Sequence, residues 1–254
     1  MKFNKSITGF DNEKEIAGDL NDKFITELNP LYRMFIEDLY PNCQSNEKIS
    51  CWVDETRKKY DIVISIGRLN RYISIKKGAK NSVHMEGISS FIHFLIENHV
   101  KREAVIEYLK YHYGDGTTNG TGVKRISATE YKQRYQEQID MINEEFNQKE
   151  LLFKAIDRFV LSGNYSDITI DGILFGVRDD FIWIKKEDII KIILAKRSTY
   201  STGVHFGPLT VQPLDRCLNY NPKYEKQRFC VQIKWYNLAD DIIQIMNEHV
   251  MNNR

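Results

Sequence analysis

Two periods of hydrophobicity run through the chain. In residues 59–78, "KYDIVISIGRLNRYISIKKG", the period is two. Ile62, Ile64 and Ile66 share one side of the first run, and Asp61, Val63 and Ser65 the other. In the second run Ile73 and Ile75 share one side, and Ser74 and Lys76 the other. Successive strand residues point to opposite faces, so the two runs with a short turn at Gly67–Asn70 predict a hairpin. From Asp11 the period lengthens: Ile16, Leu20, Phe24 and Leu28 predict one helix, closed by Pro30. A second helix is expected through Phe35 and Leu39. Residues 82–113 are long and amphipathic and predict one or two helices. "GDGTTNGTGVKR" at 114–125 is a breaker-rich loop. Residues 128–161 return to a helical pattern.

Strands are expected in 166–176 and 180–184, a short helix in 186–197, and a terminal helix in 239–253. Between these helices, 207–237 reads as two strands flanking a long polar loop. No internal repeat and no long linker divides the chain. The mixed order predicts one domain over residues 1–254, of α/β (mixed α+β) class, with a central mixed sheet flanked by helices.

Composition narrows the setting. The 254 residues suffice for one large domain, and the formal net charge of +1 gives no global basic field. Basic residues nevertheless cluster locally at 57–59, 76–80, 124–125 and 196–197, and a basic cleft in a neutral protein can grip phosphates. No apolar run reaches the roughly 18 residues of a membrane span, and the start has no apolar signal core, so a cytoplasmic protein is expected. Cys43, Cys51, Cys217 and Cys230 lack CxxC spacing, which argues against a zinc site or a disulfide framework and for buried thiols.

The hairpin carries the chemistry. An acid on one strand and a polar-x-Lys triplet on the next suit a metal-dependent phosphodiesterase. Mg²⁺ prefers oxygen ligands, usually one or two carboxylates plus waters, and Asp61 can anchor it. Lys76 shares the face of Ser74 and can orient a water or stabilise charge on the phosphorane, whereas Lys77 points away. A solvated hairpin face carries the same residue types. Glu13 lies three residues before Ile16 and seven before Leu20, on the apolar stripe. A carboxylate aimed inward needs a partner or a metal, unless it caps the first turn. Glu86 is a further candidate, sharing a helical face with Ser89, Ser90, His93 and Glu97. His84, grouped with Ile88 and Phe91, reads as a half-buried structural histidine. Walker, GxGxxG and GxSxG motifs are absent.

Several stretches together resemble a known family. "GFDNEKEIA" at 9–17, the hairpin "YDIVISI…YISIKKG", "LKYHYGDGTTNGTGVKRISATEY", and "HFGPLTVQ…RFCVQIKW…LADDI" occur in the order found in small type II restriction endonucleases of the PD-(D/E)xK superfamily. The likeness is especially to the compact four-base cutters of GC-rich palindromes. The resemblance implies that Asp61 is the metal-binding acid and Lys76 the motif lysine. Ser74 occupies the slot usually held by Asp or Glu, and Tyr60 stands where Pro is common. The four-base cutters can hold an amide residue in that slot, and some superfamily members recruit an acid from a neighbouring helix. Glu13 or Glu86 would then supply the second carboxylate.

The expected activity is Mg²⁺-dependent hydrolysis of both strands at a short, GC-rich palindromic site. The implied partners are double-stranded DNA and, without direct contact, a host DNA methyltransferase, with the chain acting as monomer or homodimer. The alternatives are a repair or junction nuclease of the same superfamily and a non-catalytic DNA-binding module with a degenerate site, the last being the reading that Ser74 favours. Sequence reading is expected in the C-terminal strands, about 205–236. Gln212, Arg216, Asn219 and Arg228 are side-chain types that read base edges, and Lys223 and Lys226 suit phosphates. Lys124 and Arg125, at the end of the Gly-Thr-Asn loop, are further DNA-binding candidates.

Overall fold

The computed structural model describes residues 8–56, 58–78, 81–164, 167–198, 202–214 and 222–252. The chain opens with α1 (Gly9–Leu20) and α2 (Pro30–Leu39), then strands β1 (Ile49–Val53), β2 (Ile62–Ile66), β3 (Leu69–Lys76) and β4 (Ser82–Gly87). Helices α3 (Ile88–Glu97), α4 (Arg102–Tyr113), α5 (Ala128–Arg134), α6 (Gln136–Phe146) and α7 (Lys149–Ala155) follow, the last running into a π-helical stretch, Ile156–Ser162. The remainder is β5 (Gly172–Val177), β6 (Asp180–Lys185), α8 (Lys186–Ala195), β7 (His205–Phe206), β8 (Leu209–Pro213), a 3₁₀ segment Pro222–Phe229, β9 (Cys230–Trp235) and α9 (Leu238–Asn252). Among the described residues no helix is long and apolar enough to cross a membrane. Cys43, Cys51 and Cys230 form no disulfide, and Cys51 is buried.

These elements divide into two compact units. The first takes the stretches up to Asn81, Val160–Ile192, and Asn237 onward. Its sheet has the order β1-β2-β3-β5-β6, with β3 and β5 parallel and every other pair antiparallel. Gly67 holds φ +60°, the conformation that a two-residue hairpin turn asks of its first position, and Ile66 pairs with Leu69 across it. The isoleucine face of the hairpin meets Ile16 and Leu20 of α1, Phe35 and Ile36 of α2, and Phe181 and Trp183 of β6 in one core. This is the mixed sheet flanked by helices that the hydrophobic pattern predicts.

The second unit takes Ser82–Phe159 and Ile193–Tyr236. Its sheet, β4-β9-β8-β7, is antiparallel throughout. Its core is aromatic: Phe146 and Phe206 stack at 4.5 Å, and Phe91 packs on Phe159 at 5.7 Å. Burial alternates along β8 and β9. One side is buried, and the other carries Thr210, Gln212, Gln232 and Lys234, all half-buried.

Two sequence expectations change. The first helix stops at Leu20 instead of continuing to Leu28. Asn21 takes an extended conformation and accepts the Cys51 amide on Oδ1, and Asp22 adopts φ +65°. Phe24 consequently lies 43 % exposed outside the helix. The start of the 82–113 segment is a strand, β4, and not helix. An irregularity of register at Ser82/His84 leaves Val83 and Glu86 both buried, three residues apart, a spacing that mimics a helical face.

Candidate active site

The site is built at the open end of the β2–β3 hairpin. Val53–Ile62 and Ile62–Ile73 are Cα partners, so Asp61 lies just beyond the last paired residue of β2, level with Ser74. Its backbone still joins the ladder, donating to the Ile73 carbonyl at 2.9 Å. Its carboxylate then takes the place that the next strand carbonyl would hold: Oδ2 accepts the Ile75 amide at 2.5 Å. Charge-assisted bonds to backbone amides are short, and this one fixes the carboxylate rotamer.

The polar face closes around that oxygen. Ser74 Oγ donates to Asp61 Oδ2 at 3.0 Å, and Lys76 Nζ approaches it at 3.3 Å. Lys76 also donates to Ser74 Oγ at 2.7 Å and to the Ile75 carbonyl at 3.0 Å. Ser74 is therefore a bridge, accepting from the ammonium and donating to the carboxylate, and it is 1 % exposed. Lys76 and Asp61 both remain partly open to solvent. Lys77, on the opposite side of the strand, donates instead to the Thr8 carbonyl at the start of α1.

Three donors thus converge on Asp61 Oδ2, while Oδ1 has no hydrogen-bond partner among the described residues. Glu13 arrives from α1. It does not cap the helix: that role belongs to Thr8 and Asp11, which form a reciprocal capping box. The Glu13 carboxylate is half-buried and makes no hydrogen bond or ion pair among the described residues. Burial raises its pKa, and the negative charge of Asp61 raises it further, with Lys76 opposing. Lys59, in the loop before β2, completes the group. Burial pushes its ammonium down to about 7, Lys76 adds to the effect, and Asp61 opposes it. The alternation argument missed Lys59 because it precedes the strand; its only sequence signal is the basic run at 57–59.

The donor set fits a hard divalent cation. The Asp61 carboxylate stands close enough to Glu13 to raise its pKa, and Asp61 Oδ1 has no hydrogen-bond partner among the described residues. Mg²⁺ usually takes one or two carboxylates and fills the remaining positions with water and substrate phosphate. No cluster of three or more His, Cys, Asp or Glu side chains occurs among the described residues, so an all-protein cage is not what this site offers.

Glu86 is placed differently. It lies in β4 of the second unit with a side chain only 2 % exposed. Arg158 donates to Glu86 Oε2 at 2.8 Å and to Ser90 Oγ at 2.9 Å, and His84 Nε2 lies 3.7 Å from the same carboxylate oxygen. Burial alone would raise the Glu86 pKa, but His84 close by and the ion-paired, hydrogen-bonded Arg158 hold it down to about 2. The structure brings Glu13, Asp61, Ser74 and Lys76 together in one unit, with Glu86 outside that unit.

The DNA-binding candidates scatter. Gln212 is in β8, opposite Gln232, and its side-chain Nε2 donates to Gln232 Oε1 at 3.4 Å. Lys226 is exposed in the 3₁₀ segment, which also contains Lys223. Arg216 and Asn219 lie outside the described residues. Arg228 is half-buried and donates to Asp115 at 2.8 Å. Asp115 has a fully buried side chain that also accepts from Thr117 and Gly122 and so knots the 114–125 loop. Arg125 is buried and donates to the Tyr113 carbonyl at 2.6 Å. Lys124 is exposed on a cleft of about 490 Å³ that is also lined by Lys110, Arg134 and Tyr135.

Similarity to known proteins appears at the level of fold. No protein-family model matches the chain, and no curated protein matches it by sequence. Among solved structures it is similar to restriction endonuclease MspI, crystallised in complex with its cognate DNA. The match covers 89 % of this chain and 91 % of that one, with a TM-score of 0.54 and 15 % sequence identity. The chain has a restriction-endonuclease-like fold.

Proposed function

We propose that this protein is a Mg²⁺-dependent endonuclease of the type II restriction kind, with a PD-(D/E)xK-like site in which Ser74 replaces the second acid. The observation that supports this best is the unequal use of Asp61. One oxygen accepts from Ser74, Ile75 and Lys76, while the other, and the half-buried Glu13 beside it, have no hydrogen-bond partner among the described residues. A solvated hairpin face has no reason to gather a second carboxylate against the first.

In this reading Asp61 and Glu13 hold the cation. When bound there, Mg²⁺ acidifies a water and neutralises charge on the scissile phosphate. Lys76 sits on the same face, positioned to hydrogen-bond the attacking water or a phosphate oxygen as negative charge builds. Ser74 has a supporting role: it holds Lys76 against Asp61 through its two hydrogen bonds. Substrate is a short double-stranded site, GC-rich and palindromic by the family resemblance. Its bases are read from the C-terminal strands, where Gln212, Gln232 and Lys234 share one side of β8 and β9.

Supercoiled and linear plasmid incubated with the protein and Mg²⁺, beside an EDTA control, tests the reading. Discrete fragments that disappear with EDTA are expected. A smear, or no cutting of linear duplex, points to a repair or junction nuclease. A mobility shift without any cutting contradicts the enzyme and leaves a DNA-binding module.

A further inference from the structure

Glu13 reaches the site from a separate helix, so something must set the rotation and height of α1 against the sheet. The apolar stripe does so only loosely, because Ile16, Ala17 and Leu20 can slide over isoleucines without losing a directional bond. Two polar contacts are directional. Lys77, immediately after β3, donates to the Thr8 carbonyl at 3.1 Å. Asn12, four residues before Ile16 and adjacent to Glu13, donates from Nδ2 to the Gly176 carbonyl in β5 at 3.1 Å.

The Asn12 contact is built into the sheet. Phe175 of β5 is the partner of Lys76 in the parallel ladder, so Gly176 is the next residue past the site lysine. Gly176 holds φ +140°, a glycine conformation, and a Cβ there would run into the Asp180 carbonyl and Phe181. The strand thus presents its carbonyl to α1 at a position that tolerates no side chain.

Asn12 is also a poor choice for stability alone. It is fully buried on the apolar stripe, and its Oδ1 has no hydrogen-bond partner among the described residues. A buried acceptor left without a donor is destabilising, and an apolar side chain of similar volume avoids the penalty. Placing a half-satisfied amide there makes sense if its value is direction.

We infer that Asn12 is the positioning residue that locks α1 to Gly176 and thereby delivers the Glu13 carboxylate beside Asp61 and Lys76. This rests on Glu13 being a cation ligand, as proposed above. The lock acts through backbone placement. Asn12 itself touches neither metal nor substrate.

The test uses the full chain and Mn²⁺ as probe, followed by titration calorimetry, with the melting temperature measured in the absence of metal. Asn12→Leu is expected to bind Mn²⁺ about tenfold more weakly, as loss of a ligand-orienting contact usually does. Its metal-free melting temperature should equal or exceed that of the wild type. Glu13→Gln should lose at least as much affinity, and the double variant no more than Glu13→Gln alone. Asn12→Ala carries the same expectation for Mn²⁺ if leucine is not accommodated. Unchanged Mn²⁺ binding in Asn12→Leu, with a loss in Glu13→Gln, overturns the positioning role and leaves the Glu13 assignment standing. Unchanged binding in Glu13→Gln removes both. A melting temperature that falls in step with Mn²⁺ affinity in both Asn12 variants makes Asn12 an ordinary core residue and also overturns the inference.

Discussion

The two units each set carboxylates beside cations, and they treat them in opposite ways. In the second unit Glu86 is closed: Arg158 and His84 surround it, Ser90 takes another bond from the same guanidinium, and the carboxyl is held down to about 2. In the first unit Asp61 and Glu13 are open. Glu13 has no partner among the described residues and is held up by burial and by its neighbour's charge. A buried carboxylate ion-paired to a guanidinium is a structural device, whereas a half-buried carboxylate with no ion pair among the described residues, set beside a second carboxylate, invites a further cation. By sequence alone both glutamates are candidates for the missing acid; the Arg158 ion pair of Glu86, which has no counterpart at Glu13 among the described residues, is what separates them.

The largest expected effect is at the hairpin. Asp61→Asn or Lys76→Ala should lower cleavage by about a hundredfold or more while DNA binding persists in a mobility-shift assay. Cutting at the wild-type rate by either variant would break the assignment of the open site. Next is the closed one. Glu86→Gln should lose about 3 kcal/mol of stability in denaturant unfolding, because Arg158 is left without its counter-charge. The Glu86 pKa is lower in the folded state than its ordinary 4.5. Its contribution is therefore present above about pH 4.5 and disappears as the pH falls toward 2, and that acid-side loss should be absent in Glu86→Gln.

Sequence reading gives smaller effects. Arg216→Ala should lose on the order of 1–3 kcal/mol of discrimination between cognate and one-base-altered duplexes. Lys226→Ala should weaken all duplexes alike and lower the salt slope. Equal weakening of both duplexes by Arg216→Ala would move the reader elsewhere, the 114–125 loop being next. The smallest effect is the pH signature of Glu13. Its folded pKa is raised, so without metal the folded state binds the extra proton between the ordinary glutamate value and the raised one. Metal-free stability should fall as pH rises through that window, while divalent-cation affinity rises with deprotonation. Glu13→Gln should flatten both slopes in parallel melting and calorimetric titrations.

The contrast also marks what a sequence exposes. The hairpin was legible because strict alternation put Asp61, Ser74 and Lys76 on one face, and the register bears that out. The inward direction of Glu13 was legible from its spacing to Ile16 and Leu20. The extent of that helix was not, since the break depends on Asn21 bonding to Cys51, 30 residues away. β4 was hidden because a register irregularity gave it a helix-like spacing. Arg228 and Arg125 have the side chains of base readers, yet one is tied to Asp115 and the other to the Tyr113 carbonyl. Those pairings are products of the tertiary fold, and residue type carries no trace of them. Asn12 was equally invisible, because its partner is a backbone carbonyl 164 residues on.

The central claim is that Glu13, and not Glu86, shares a cation with Asp61. The most direct test is the Mg²⁺ dependence of the single-turnover cleavage rate in Glu13→Gln and Glu86→Gln, each first shown to be folded at the assay temperature. The account predicts that Glu13→Gln raises the half-maximal Mg²⁺ concentration by about tenfold and Glu86→Gln leaves it unchanged. The opposite pattern, or identical Mg²⁺ curves for Glu13→Gln and the wild type, would contradict it.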